Sequence, residues 1–537
     1  MAKKAMATGK AIDGGPCAGN PHVRFDVGEV ASATTLRRGS LLFKRLVNRR
    51  DVLGMVGSVA ALSAAQGCAI GRFAGGGTAM SNFAVPPMRR IRIGYIGIGE
   101  RGTWAVHRVS GIPVTETAAL CDLRPMAVDS VRKWLVENKR QGAMREYKGR
   151  ADSWKGLCDD PNVDVVYICT PAALHAEMEI YAMKAGKHVM VEVPGAQTID
   201  ECWAIVETAE RTRRHCMMLE NCVYGENELF AWNLCHKGVI GTLTHAEGGY
   251  IHNLVWRQEE NPTAATNFRT QALKDRAMRG NGTVERRWGN TYPTHALGPI
   301  CTYMDMNRGD RMECVSSFSS LAAAHQEYAA AIYGKNEWQN RVKWLTGDMN
   351  TSVIRTAKGR TIMMQMDVAT PRPYSRINLI QGTKGCLYDY PLRVALSPIP
   401  GGDATGHGNG SAHEWMDDKA LAELKEKYAH PLWNAAGEVA RKGGGHGGMD
   451  FMMDLRWVWC LMNGLPLDTD VYDLASWSSI VPCSAKSDMR GGEPIELPDF
   501  TRGAWRTAKP QDIGTVDFRK MGLDAGKQKK DEMEMNV

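Results

Sequence analysis

Arg90 to Asp122 reads RIRIGYIGIGERGTWAVHRVSGIPVTETAALCD, and the order of residue types in it decides the fold. Ile91, Ile93, Tyr95 and Ile96 form a short apolar run that leads straight into Gly97-x-Gly99-x-x-Gly102, after which polar and apolar residues mix at helical spacing to Val109. The pattern is strand, glycine turn, helix. Gly97 permits the tight turn, Gly99 lets a diphosphate approach the backbone, and Gly102 lets the helix pack against the strand. A second apolar run, Thr117 to Cys121, ends in Asp122, where a carboxylate can hold the ribose hydroxyls of a dinucleotide. Fifty-six glycines in 537 residues produce the bare motif by chance. The strand before it, the helix after it and the acid at the right distance make it specific. Asp122 repels a 2′-phosphate, so NAD is expected over NADP, and Arg124 reads as a solvated loop arginine.

The chain is too long for one core, so two domains and a leader are expected. At 44% hydrophobic and 23% charged the composition is that of a globular protein. Most of the net charge of +7 lies in the leader, which argues against a nucleic-acid partner. Arg49-Arg50-Asp51-Val52-Leu53, the small apolar run Gly54 to Ala65 and then Gly67-Cys68 resemble a twin-arginine export signal with an imperfect lipoprotein-type cleavage site. The expectation is an exported protein, periplasmic or anchored by lipid at Cys68. That route carries folded proteins, so a tightly held nucleotide would travel inside. The fourteen cysteines are scattered without C-x-x-C spacing and read as buried thiols; no zinc pattern is visible, and no metal is expected.

Beyond Pro125 helical patterns alternate with apolar runs at 163–169, 188–193 and 216–219. Nearly continuous apolar runs are what parallel strands covered on both faces look like, so the fold class is α/β with a doubly wound Rossmann sheet. Ligands bind beyond the carboxyl ends of such strands. Thr170 to His175, Glu192-Val193-Pro194 and Glu220-Asn221 are therefore expected to face the nucleotide. Later runs (244–250, 313–318, 361–368 and 377–381) read as an open, mainly antiparallel sheet of an α+β domain. The expected divisions are a leader at 1–68, a Rossmann domain at 88–222, an α+β domain at 223–518 and a charged tail at 519–537. Gly401 to Gly410 reads as a surface loop.

Cys169-Thr170-Pro171 and Glu192-x-Pro194 resemble segments of the glucose-fructose oxidoreductase and inositol dehydrogenase superfamily. The usual Glu-Lys-Pro segment has Val193 here in place of its lysine, which removes a proton relay through that side chain. With Tyr292-Pro293-Thr294-His295, Asn307-Arg308-Gly309-Asp310, Thr370 to Asn378 and Gly444 to Asp450, the chain resembles glycoside hydrolase family 109 from about residue 90 to 500. That resemblance implies an NAD-dependent α-N-acetylgalactosaminidase. It would act by oxidation at sugar C3, elimination of the C1 substituent, water addition and re-reduction. The glycine motif alone fits any dehydrogenase, and a plain sugar dehydrogenase is the alternative. The resemblance also implies cofactor contacts at Gly97, Gly99, Arg101, Gly102, Asp122, Ala172, Ala173, Leu174, His175, Glu192, Val193, Asn221 and Tyr292. It implies substrate contacts at Tyr250, Arg269, Tyr292, Pro293, Thr294, His295 and Tyr374, with Arg279, Arg286 and Arg287 as alternatives to Arg269. A homo-oligomer is expected on the same ground. Tyr292 and His295 are three apart after a proline-initiated turn, which lets both face one pocket, and the resemblance makes them the expected catalytic pair. Histidine, with an unperturbed pKa of about 6.5, can take and give a proton at working pH. His446 reads as a loop histidine outside the main site.

Overall fold

A computed structural model describes residues 79–140, 142, 144–255, 289–341, 347–397, 400, 414–510 and 512–523. The twin-arginine segment, Cys68, Arg269, Arg279, Arg286, Arg287, the loop 401–410 and most of the charged tail lie outside the described residues.

Six parallel strands form the first sheet: β1 (Ile91–Ile96), β2 (Thr115–Asp122), β3 (Arg145–Lys148), β4 (Val165–Ile168), β5 (His188–Val191) and β6 (Cys216–Met218). Their order is β3-β2-β1-β4-β5-β6, so the chain reverses direction across the sheet between β1 and β4. That reversal opens a crevice above the carboxyl ends of these two strands, where a dinucleotide binds. Every residue of β4 and β5 is buried, in keeping with helices on both faces. The polar strand β3 is the exception. It lies at the sheet edge with Arg145 exposed, which is why hydrophobic periodicity does not reveal it.

The second sheet contains β7 (Leu243–Ile251), β8 (Met312–Ser319), β9 (Asn350–Thr356), β10 (Thr361–Asp367), β11 (Leu379–Gly382), β12 (Gly385–Tyr388), β13 (Arg393–Leu396) and β14 (Ile495–Glu496). Its order is β13-β12-β11-β7-β10-β9-β8-β14, antiparallel throughout except where β7 runs parallel to β10. The helices Met449–Asn463 and Val471–Met489 pack against both parts of the molecule. The first meets the helix Glu100–Val109, and the second meets the helix Ile199–Thr212 and strand β8. Both are buried on nearly all sides, so neither has the one-sided apolar stripe of a surface helix. Buried charges on such a helix need partners. Asp454 takes Arg108 Nε–H at 2.9 Å and the Tyr167 hydroxyl at 3.2 Å, and Arg456 pairs with Asp468 at 2.6 Å.

The twelve cysteines among the described residues are free, and eight of them are buried. One, Cys216, donates its thiol hydrogen to Glu179 Oε2 at 3.2 Å, while Glu179 Oε1 meets no hydrogen-bond partner among the described residues. Burial pushes the Glu179 carboxyl up to about 8. Between an unfolded carboxyl value of about 4.3 and that folded value, the native state holds a proton the unfolded chain has lost. The sign follows: this stabilisation is complete below the lower value and is lost as pH rises through about 8. Glu179→Gln is therefore expected to flatten the fall of Tm between about pH 6 and pH 9, a difference of a few kcal/mol at the alkaline end. Parallel Tm profiles for variant and wild type would contradict this assignment.

Candidate active site

At the mouth of the crevice, Gly97 adopts φ +83°, and a Cβ there would lie 2.8 Å from Thr170 Cγ2 and 2.9 Å from the Cys169 carbonyl. A Cβ on Gly102 would sit 2.1 Å from the Gly97 oxygen. Strand and helix are packed that closely. Gly99 is the N-cap of the helix Glu100–Val109 and supplies no side-chain cap, so the first-turn N–H groups are left to an anion. Asp122 closes β2, its carboxylate oriented by the Arg124 backbone N–H at 2.8 Å and Nε–H at 3.1 Å. These features fit a dinucleotide: open amides for the diphosphate, an acid for the ribose and glycines where any side chain would collide.

The other predicted nucleotide contacts are gathered at the same sheet end. Ala172–Leu174 form a single 3-10 turn after β4. His175 is buried, with Nε2 at 2.7 Å from the Thr170 carbonyl and Nδ1 at 2.9 Å from the Pro194 carbonyl, so its ring ties the loop after β4 to the loop after β5. Arg101 turns its guanidinium to Glu192 at 2.8 Å and Asp450 at 3.1 Å. Any contact of Arg101 with a diphosphate would therefore be made mainly through its backbone. Asn221 donates to Asp450 Oδ1 at 2.5 Å, and His446 Nδ1 lies 3.0 Å from Asp450 Oδ2. Burial pushes the Asp450 carboxyl up, but His446, Arg101 and Arg108 together draw it well below the usual carboxylate range. Val193 packs against the core and precedes a cis peptide bond to Pro194.

Above this network lies a group of rings. Tyr250, Tyr292 and His295 have mutual ring-centre separations of 4.6, 5.3 and 4.9 Å. Tyr374 stands 6.5 Å from Tyr250 at the exposed rim, its hydroxyl held by Arg376 Nη1–H at 3.2 Å. Arg376 is in turn ion-paired with buried Glu228. Tyr292 precedes the helix Thr294–Tyr303 instead of starting it; Pro293 is the N-cap, Thr294 is buried, and His295 projects from the first turn. Tyr292 and His295 nonetheless meet edge to face.

The residue that completes the pair is Glu220. His295 Nδ1 lies 2.7 and 2.9 Å from its two carboxylate oxygens, while Nε2 meets no hydrogen-bond partner among the described residues. Burial pushes the Glu220 carboxyl up, yet His295 and the Cys222 backbone N–H more than offset this, and its value falls below the ordinary one. Glu220 is therefore a carboxylate at neutral pH. Towards a neutral His295 it accepts the Nδ1 hydrogen, in the tautomer that keeps a lone pair on Nε2. The Tyr292 hydroxyl is pushed well above its ordinary value, first by burial, then by Tyr250, Glu220 and Glu192, with Arg101 opposing. It stays protonated and can donate its hydrogen.

Glu220 was legible as a residue facing the nucleotide, but nothing local in the sequence couples it to His295, 75 positions away. Asp450 and His446 belong to the glycine-rich run the sequence singles out, but their position beside Asn221 is a tertiary fact. A separate cavity of about 380 Å³ lies among Val85, Met88, Asp164, Lys187, His188 and Arg214. Asp164 is engaged there by Arg92 at 2.6 Å, and Lys187 by two backbone carbonyls, so those charges are not available to a sugar.

Residues 91–220 match the family described as oxidoreductase family, NAD-binding Rossmann fold. The molecule is thus a nucleotide-binding α/β protein with a second sheet beside its crevice. Residues 224–507 match glycosyl hydrolase 109, C-terminal domain, and the chain belongs to glycosyl hydrolase family 109. A glycosyl hydrolase family 109 protein of Shewanella amazonensis is 44% identical, over 82% of this chain and 92% of its own length. An alpha-N-acetylgalactosaminidase of Shewanella oneidensis is 43% identical, over 81% and 91%. Among solved structures, levoglucosan dehydrogenase in complex with NADH and levoglucosan superposes with a TM-score of 0.55 at 18% identity, over 76% of this chain and all of that one. An NAD binding oxidoreductase from Klebsiella pneumoniae gives 0.54 at 17% identity, over 77% and 100%. These two likenesses concern the fold.

Proposed function

We propose that the protein hydrolyses glycosides bearing a terminal α-linked N-acetylgalactosamine, using NAD with no net redox change. One observation carries the reading. Glycosidases ordinarily flank the scissile bond with two carboxylates, one of them free to protonate the leaving group. Here every acid described above around the crevice is committed: Asp122 to Arg124, Glu192 and Asp450 to Arg101, Glu220 to His295, Glu228 to Arg376. Among the described residues this arrangement supports another route, and the name of the Shewanella oneidensis relative points to the substrate class.

NAD, when bound, supplies reversible hydride transfer at sugar C3, which acidifies the C2 hydrogen and allows the C1 substituent to be eliminated before water adds and the sugar is reduced again. The backbone of Gly97, Gly99 and Gly102, the carboxylate of Asp122, the turn Ala172–Leu174, Glu192-Val193 and Asn221 are the groups that would hold it. His295 Nε2 takes protons from the sugar, and the Glu220 carboxylate stabilises the resulting imidazolium. The Tyr292 hydroxyl donates a proton towards the same space. Tyr250 and Tyr374 offer apolar ring surface to the sugar's carbon face, and Arg376 fixes the position of Tyr374. Val193 provides no amine, which leaves His295 as the base.

Purified protein is expected to release nitrophenol from p-nitrophenyl α-N-acetylgalactosaminide with no NAD added and no accumulation of NADH absorbance. Stoichiometric NADH would instead make it a sugar dehydrogenase, and neither product would leave a binding protein.

A further inference from the structure

Beneath the ring cluster, the thiol of Cys222 completes a set of donors that glycoside cleavage does not require. One atom each from Glu220, Cys222 and His295 lie within 4.8 Å of one another, with Glu220 and Cys222 buried and His295 partly open. Among the described residues this is the one such convergence of three His, Cys, Asp or Glu donors. The Cys222 backbone N–H also donates to Glu220 Oε1 at 3.1 Å, and Arg376 Nη1–H points at the sulfur from 3.2 Å.

We infer that Glu220, Cys222 and His295 form an inhibitory site for a soft divalent cation, Zn²⁺ or Cd²⁺, which enters from the sugar side and replaces the proton shared by His295 and Glu220. The loss of activity rests on the reading of His295 as the base; the binding rests on the three donors alone.

The donor set of one nitrogen, one sulfur and one carboxylate oxygen is that of zinc sites. Zinc bond lengths of about 2.0–2.3 Å put tetrahedral ligands roughly 3.5 Å apart. The histidine and glutamate are already closer than that, so closure asks for about 1 Å of movement by the thiol, within the reach of a side-chain rotation. Magnesium and calcium, which want six or more oxygens, find a single carboxylate here. Charge also favours the ion. A Cys222 thiolate and the Glu220 carboxylate together neutralise a dication, and the nearby Arg376 charge is balanced by Glu228. On binding, the thiol proton passes to solvent, the metal takes the Nδ1 lone pair, and the remaining imidazole proton resides on Nε2. The histidine then presents a hydrogen to the sugar where catalysis needs a lone pair. The fourth metal position faces the crevice and takes water or a sugar hydroxyl.

The test uses the full-length protein, titrated with Cd²⁺ and followed by the ultraviolet thiolate-to-cadmium band, with Zn²⁺ inhibition measured in parallel. Wild type is expected to bind one Cd²⁺ per chain at this site and to lose glycosidase activity to Zn²⁺, with recovery on chelation; Mg²⁺ should have no effect. Cys222→Ala is expected to lose the band and to raise the Zn²⁺ inhibition midpoint at least tenfold, since losing even an outer-shell partner weakens metal binding by roughly 10–100-fold. Cys222→Ser, which keeps the side-chain volume, provides the same comparison should the alanine variant fold poorly. A band and an inhibition midpoint unchanged in the variants, or a wild type that shows neither, overturns the site. A cadmium band in a protein that cleaves no glycoside would leave the site standing and remove the proposed function.

Discussion

His295→Ala is expected to lower kcat by roughly 10²–10⁴-fold while the protein keeps its nucleotide, because in the proposed mechanism the variant loses the group that exchanges protons with the sugar. The size of the effect follows from the surroundings. His295 is the partly buried imidazole whose Nδ1 rests on a carboxylate and whose Nε2 is left for substrate, and the Val193 position offers no amine to replace it. Glu220→Gln keeps the shape but removes the charge that would stabilise an imidazolium, so its loss should be smaller than that of His295→Ala. Tyr292→Phe removes only the hydroxyl donor and leaves the ring stack with Tyr250 in place. The checks are steady-state kinetics on the nitrophenyl glycoside and the nucleotide content of each variant after denaturation. Unchanged turnover in His295→Ala would remove it from the chemistry.

Gly102→Ala should be as damaging by a different route. The added methyl would meet the Gly97 carbonyl at 2.1 Å, a backbone atom that cannot rotate away, so either the turn or the helix end must move. Both movements would carry the first-turn amides away from where the proposed site holds the diphosphate. The variant is expected to purify almost free of nicotinamide nucleotide and to lose nearly all glycosidase activity. It should also lose the stabilisation that a bound ligand gives, about 2.7 kcal/mol for a ligand held at a hundred times its Kd. The measurements are the nucleotide released on denaturation and the Tm with and without added NAD. Wild-type nucleotide content in Gly102→Ala would mean that the cofactor does not lie across this turn.

What could be read from the chain was what local chemistry determines. The strand, glycine turn and helix from Ile91 to Val109 share one short segment, and β4 and β5 announce themselves as buried by their unbroken apolar runs. Strand β3, Arg-Glu-Tyr-Lys, carries no such signal, since an edge strand half open to water need not be apolar. The helix Met449–Asn463 is buried on nearly every side between two layers, so it has no apolar stripe to detect, and its Asp450 and Asp454 look like surface acids until Arg101 and Arg108 are placed beside them. The same holds for the site. Tyr292 and His295 are near neighbours in sequence and were legible together. The Glu220 carboxylate that gives His295 its direction, and the Arg376 guanidinium that holds Tyr374, depend on long-range packing. The parallel pairing of β7 with β10 in an otherwise antiparallel sheet is likewise set by the path of the intervening chain.

The central claim is that the glycosidic bond breaks by proton removal at C2, with His295 as base, and not by direct displacement at C1. Hydrolysis of the nitrophenyl glycoside carried to completion in deuterium oxide tests it directly, with the released sugar examined by mass spectrometry and proton NMR. Deuterium at C2 of the product is the predicted result; a product with its original C2 hydrogen intact would contradict it.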